Sequence, residues 1–424
     1  MARRAKSSLP AAMLKALMPS PAASKRAIKK AQRAATKATR AAARTATPSA
    51  STGTGTAARP KTRTGAATSQ GASRSAAARR TSPPRRRGKA GGAARPARAA
   101  ASALPDLWQP PGGARSQPDP ATLGRGTWYQ HRYTGVAGTR AYRVYIPKGL
   151  RRTSRAPLLL ALHGCTQTGL DFAAGTRFND LADTHRFIVV YPEQAATHHA
   201  QRCWNWFRPG HQLRAAGEPA ILAGIVRRVV QESSRWRVDT DRIYAAGISA
   251  GGGMALVLAA TYPELFAAVG VHSAPPFRAA TGPADAIAAM QGAGQAPTPS
   301  AALPPMIVFQ GTADGTVRSA NAERIAGQWL GSQPPGTIGK GRQTRKAPPR
   351  TASGRGPRPH RVTRWSAGRQ VRLELWVVEG LGHAWSGGSA KGSYSDARGP
   401  RASTQMWRFF AKHVATGPTG LPAG

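Results

Sequence analysis

Hydrophobic patterning divides the chain into two regimes. Up to about residue 120 apolar positions show almost no periodicity. Beyond it, short apolar runs alternate with stretches whose apolar residues recur at helical spacing. The pattern predicts strands beginning at Thr127-Trp128-Tyr129 and at 140–147. The next run, Pro157-Leu158-Leu159-Leu160-Ala161-Leu162, is apolar throughout, as suits a strand covered on both faces. Further strands are read at 187–191, 242–246, 306–310 and 371–378. Helices are read at 171–185, 219–234, 320–330 and 403–414, the last burying Met406, Trp407, Phe409 and Phe410. Such alternation predicts an α/β fold with a mostly parallel sheet and helices on both faces. In sheets of this kind ligands bind at the carboxyl ends of the strands.

Composition assigns the aperiodic part a different role. The first hundred residues hold 24 lysines and arginines and no acid, within a chain of net charge +45. Residues 1–120 are therefore read as a disordered Ala/Arg/Lys-rich basic arm, too poor in apolar surface to offset the entropy of ordering. Met13, Leu14, Leu17 and Met18 share one face of a short helix within it. Residues 121–416 form the folded domain and 417–424 a flexible tail. Between 331 and 364 periodicity is again lost, and eight basic residues fall between Lys340 and Arg361 without an acid, which reads as a basic insertion loop. The charge suits association with a polyanion such as nucleic acid, without sequence specificity. No apolar run reaches the length of a transmembrane helix. Lys15 cuts short the apolar stretch after Arg3, Arg4 and Lys6, so no conventional secretory signal is expected.

The chemistry centres on Gly247-Ile248-Ser249-Ala250-Gly251, placed between a strand and a helix-forming run. A G-x-S-x-G turn in this setting presents its serine as a nucleophile. A serine hydroxyl needs a base, and the base an orienting acid, which this architecture supplies in the order Ser, Asp/Glu, His. Asp314 lies just past the strand at 306–310, and His383 in the glycine-rich loop after the strand at 371–378. Asp396 is the other candidate acid; His360 and His413 are the remaining histidines after Ser249. Negative charge on a tetrahedral intermediate calls for two backbone N–H donors, assigned to Ala250 and Cys165. No metal or cofactor is expected.

Five separated motifs carry a resemblance: His163-Gly164-Cys165-Thr166-Gln167, Cys203-Trp204-Asn205-Trp206, Gly247-Ile248-Ser249-Ala250-Gly251-Gly252, Gly311-Thr312-Ala313-Asp314 and Gly382-His383-Ala384-Trp385-Ser386-Gly387-Gly388. Together they resemble the polyhydroxybutyrate (PHB) depolymerase family of α/β-hydrolase esterases, over roughly residues 128–413. The resemblance implies the α/β-hydrolase fold and a serine esterase acting on poly(3-hydroxybutyrate) or its oligomers. Feruloyl and acetylxylan esterases share much of the pattern. It also implies a disulfide between Cys165 and Cys203, the only two cysteines. Trp204, Asn205, Trp206 and Trp385 flank the catalytic loops, the tryptophans as an apolar wall for an acyl chain. The basic arm then becomes a means of reaching a PHB granule surface or nucleic acid. A cytoplasmic, granule-associated location is favoured, with an extracellular one as the alternative. A rival of another class is a polyanion- or granule-binding protein acting through the arm.

Overall fold

The computed structural model describes residues 117–232, 235–346, 356–417 and 419–421. The chain divides into the units Met1–Pro96 and Ala97–Gly424, and every described residue belongs to the second. The basic arm through residue 116, including the face of Met13 to Met18, lies outside the described residues. So do positions 233–234 of the expected helix 219–234 and positions 418 and 422–424 of the tail.

In chain order the strands are β1 (Thr127–Gly135), β2 (Gly138–Ile146), β3 (Arg155–Leu162), β4 (Ile188–Pro192), β5 (Arg237–Ile248), β6 (Ala268–His272), β7 (Met306–Gly311), β8 (Arg342–Lys346), β9 (His360–Ala367), β10 (Gln370–Val378), β11 (Trp385–Ser386) and β12 (Ser395–Asp396). The helices are α1 (Gly169–Thr176), α2 (Phe178–His185), α3 (Gly217–Gln231), α4 (Ala250–Thr261), α5 (Pro283–Met290), α6 (Ala320–Ser332) and α7 (Ala402–Phe410). Ten strands form one sheet in the order β1-β2-β4-β3-β5-β6-β7-β10-β9-β8. From β4 to β10 neighbours run parallel; the β1–β2 hairpin and the β9–β8 extension are antiparallel. Strands β11 and β12 pair separately.

The continuous apolar runs are explained by two cores. Leu158, Leu160 and Leu162 point to one face of the sheet, beneath α3, α4 and α6, with Ile243, Ala245, Val308 and Leu375. Leu159 and Ala161 point to the other, with Tyr244, Ile307 and Phe309, against α1, α2 and α7. Successive side chains of a strand face opposite ways, so a strand covered twice must be apolar at every position.

The closing helix read over 403–414 ends at Phe410, and three further differences from expectation bear on the fold. The helix read over 171–185 is two helices, broken where Arg177 takes a left-handed backbone (φ 56°). Strand β6 was not read: it has only five residues, Ala-Val-Gly-Val-His, and periodicity over so short a run does not separate strand from helix. The basic insertion at 331–364 is not wholly a loop. Helix α6 runs into it, and β8 and β9 pair within it from Arg342↔Arg364 to Lys346↔His360; residues 347–355 lie outside the described ones. Every residue of β8 is exposed, so its Arg-Gln-Thr-Arg-Lys sequence carries no hydrophobic alternation to betray a strand, and its charges suit a sheet edge.

Candidate active site

Ser249 occupies the single position between β5 and α4 with φ 54° and ψ −122°, a sparsely populated backbone conformation for a side-chain-bearing residue. Its N–H donates to the His272 carbonyl at 2.9 Å, and its own carbonyl accepts from Gly253 N–H at 2.9 Å. The flanking glycines are required by close approach. A Cβ on Gly251 would stand 2.2 Å from the Leu162 carbonyl oxygen, and one on Gly247 2.4 Å from the Gly251 backbone. Ala250 opens α4, so its N–H lies in the first turn, where the helix itself offers no acceptor and the macrodipole is positive.

Asp314 follows β7. Its Oδ1 accepts from the N–H groups of Thr316 (3.0 Å) and Val317 (2.8 Å), and its Oδ2 from His383 Nδ1 at 2.9 Å and Gln310 Nε2 at 3.3 Å. Burial pushes this carboxyl up, but the His383 bond and charge, the Val317 N–H and the Ser273 hydroxyl outweigh it and hold Asp314 below its ordinary value. A carboxylate there fixes the proton on His383 Nδ1, leaving Nε2 as the basic nitrogen. His383 and Ser249 line one small cleft with Gly164, Cys165, Gln167, Ile248 and Tyr394. The other candidates sit elsewhere: Asp396 accepts from Arg358 at 2.6 and 3.0 Å, His360 stacks on Trp376, and His413 is buried against the Phe409 and Val371 carbonyls.

Across the cleft, Gln194 N–H donates to His163 Nε2 at 3.1 Å, which places the ring proton on Nδ1 and directs it to the Gly164 carbonyl at 2.7 Å. Because the next peptide is trans, holding that carbonyl turns the Cys165 N–H to the opposite side. Burial lowers the pKa of His163, which keeps the ring neutral and this arrangement fixed. Gln167 accepts from Gly164 N–H at 2.9 Å, and Cys165 is bonded to Cys203.

The flanking residues depart from the expected substrate wall. Trp204 is fully buried with Nε1 on the His163 carbonyl (3.1 Å), and Trp206 packs against Gly253 in the same core. Trp385 sits in the opposite core, edge-on to Phe172 and Phe178, with Nε1 on Ser403 Oγ. Asn205 turns inward, donating through its backbone and side chain to Glu218 at 2.7 and 2.8 Å. Each indole N–H that is bonded here finds a partner inside the protein, and burying so large a ring stabilises the loops that carry the site. The cleft is instead bordered by Tyr394, which sequence reading passed over; its hydroxyl lies 3.2 Å from Thr166 Oγ1. The only signal for it was a single aromatic in the Gly/Ser-rich stretch between β11 and β12.

Residues 140–346 match the family described as esterase PHB depolymerase. Over that segment the chain is similar to this family. Among similar proteins, poly(3-hydroxyalkanoate) depolymerase C of Paucimonas lemoignei is 32% identical over 253 residues, 56% of this chain and 57% of that protein. Feruloyl esterase B of Neurospora crassa is 36% identical over 129 residues, 30% of this chain and 42% of that protein. The chain thus spans about half the length of these relatives. An acetyl xylan esterase from Aspergillus awamori superposes with a TM-score of 0.50 at 20% identity, covering 68% of this chain and 99% of that one, and shows the fold to be that of an α/β-hydrolase.

Proposed function

We propose that the chain is a serine carboxylic-ester hydrolase cleaving poly(3-hydroxybutyrate) or its oligomers, with Ser249 as nucleophile, His383 as base and Asp314 as the acid that orients it. The observation that carries the reading is the 2.9 Å His383–Asp314 bond beside a serine held in the strained turn of the same cleft. His383 Nε2 takes the Ser249 proton as Oγ attacks the ester carbonyl. The developing oxyanion meets the N–H groups of Ala250 and Cys165, one such donor being worth about 3 kcal/mol. His383 then protonates the departing alcohol. In the second half it deprotonates a water that attacks the acyl-serine, and Ser249 recovers its proton as the acid leaves. Asp314 stabilises the imidazolium in both halves.

The substrate class follows the depolymerase relative; the feruloyl esterase relative supports a second reading, a feruloyl or acetylxylan ester. Ser249→Ala should abolish hydrolysis of a short-chain nitrophenyl ester, and wild-type activity in that variant would sink the mechanism. A panel of amorphous and crystalline polyester, soluble oligomers and feruloylated sugars separates the substrates. The charge of +45 supports the basic arm as a contact for a granule surface or nucleic acid, read by co-sedimentation of the full chain against salt. Binding without any hydrolysis would favour the scaffold reading. Among the described residues no helix is long and apolar enough to cross a membrane. The bonded Cys165–Cys203 pair suits an oxidising compartment, which weighs for the extracellular alternative against the granule-associated cytoplasmic one.

A further inference from the structure

Strand β6 ends on His272, an imidazole with no exposed surface in a place where an apolar side chain would avoid the cost of burying polar atoms. Its ring lies between those of Phe309 and Trp385, at centroid distances of 5.7 and 5.0 Å. Three polar atoms of the residue reach different parts of the site. The carbonyl accepts the Ser249 N–H at 2.9 Å. Nε2 accepts the Ser386 N–H at 3.0 Å, three residues beyond His383. A backbone N–H can only donate, so the ring proton is on Nδ1, which then donates to Ser273 Oγ at 3.1 Å. The Ser273 hydroxyl is in turn one of the groups that hold the Asp314 carboxyl below its ordinary value. The proton directions at the two ring nitrogens are forced and agree with one another.

We propose that His272 is a positioning residue that locks the three loops of the site together, holding the Ser249 turn by its carbonyl, the His383 loop by Nε2, and Asp314 by Nδ1 through Ser273. The proposal rests on the reading of Ser249, Asp314 and His383 as the reacting residues. Burial is the main reason the ring stays neutral, with Asp314 opposing and His383 reinforcing that effect. A neutral ring keeps one acceptor and one donor, and a protonated ring would lose the acceptor that Ser386 needs. Deleting one arm frees one loop to drift, and a misplacement of the order of 1 Å is enough to cost about 100-fold in rate.

The two arms are separable, because Asn reproduces the position of Nδ1 and Gln that of Nε2. His272→Asn keeps the link to Ser273 and loses Ser386; His272→Gln keeps Ser386 and loses Ser273. Each is expected to lower kcat on a soluble nitrophenyl ester by about 10-fold, and His272→Leu by about 100-fold, with KM within about two-fold of wild type. The rate at which a fluorophosphonate labels Ser249 should fall in parallel, a readout that depends on serine activation rather than on the amount of folded protein. Ser273→Ala should lower kcat on the His272→Asn background and add little on the His272→Gln background, where its link is already broken. The proposal is overturned if kcat and labelling rate stay within two-fold of wild type in all folded variants, or if Ser273→Ala has the same effect on both backgrounds. Should the His272 variants not fold, Ser273→Ala alone decides: a fall of several-fold supports the link to Asp314, and unchanged kcat refutes it. Full activity in Ser249→Ala would instead overturn the underlying assignment of the site.

Discussion

The Cys165–Cys203 bond offers a test in which stability and chemistry can be read from one sample. The two residues are 38 apart in sequence. In the chain-entropy treatment, opening a loop of this size returns about 4 kcal/mol of freedom to the unfolded state. For a domain of this size each kcal/mol moves the unfolding midpoint by about 2–3 °C, so reduction should lower Tm by about 10 °C. The rate should suffer less than full loss of an oxyanion donor, which costs 100-fold or more. The loop remains tethered at both ends: His163 and Gln167 hold Gly164, and Asn205 stays bonded to Glu218. Scanning fluorimetry with and without reductant, with thiol labelling to verify that both cysteines are free, measures the shift. A variant with both cysteines changed to serine should sit at the lower midpoint and ignore the reductant. A midpoint that moves by less than about 2 °C when both thiols label in full would refute the argument from loop length.

Three further outcomes are expected. Asp314→Asn leaves the shape of the acid but frees the wrong His383 tautomer, so kcat on a nitrophenyl ester should fall by about 10⁴-fold with the fold intact by circular dichroism. Glu218 is fully buried and accepts from Arg140 (3.1 Å), Gln194 and Asn205; Glu218→Gln leaves the buried Arg140 guanidinium without its counter-charge and should destabilise by about 3–5 kcal/mol in urea unfolding. His272, pushed down to about 3, and His163, also lowered, are neutral when folded and take up protons on unfolding below the ordinary histidine value of about 6.5. Stability should therefore be greatest above that pH and decline as pH falls, by up to about 1.4 kcal/mol per unit for each ring, and His272→Gln should flatten the slope between pH 6 and pH 4.

The parallel centre of the sheet was legible because its strands are apolar at every position, and the turn at Ser249 because glycines on both sides leave a spacing that few other structures need. Asp314 and His383 were chosen by chain order and by their places after strands, and they lie within hydrogen-bonding distance of each other. What escaped was information that lies across the chain. His272 looks like the last residue of an ambiguous five-residue run, and its partners Ser386 and Asp314 are 114 and 42 positions away. The tryptophans near the motifs advertised proximity in sequence, but Trp204 and Trp385 face opposite cores. Strand β8 was hidden because it obeys the requirements of an edge rather than those of a core.

That edge also governs how copies of the chain meet. Among the described residues β8 ends the sheet, and an edge strand is a template for another; a second molecule docking along it would set Arg342, Arg345 and Lys346 against the same residues of its neighbour at a strand spacing of about 5 Å. Like charges so close repel, and among the described residues only Arg345 has an acid at hand, Glu379. Charge thus opposes extension of the sheet between molecules along β8, and this barrier is only as durable as the charge. A polyanion lying along this edge would cancel it, and crowding many chains onto such a surface is the circumstance in which they would first begin to pair.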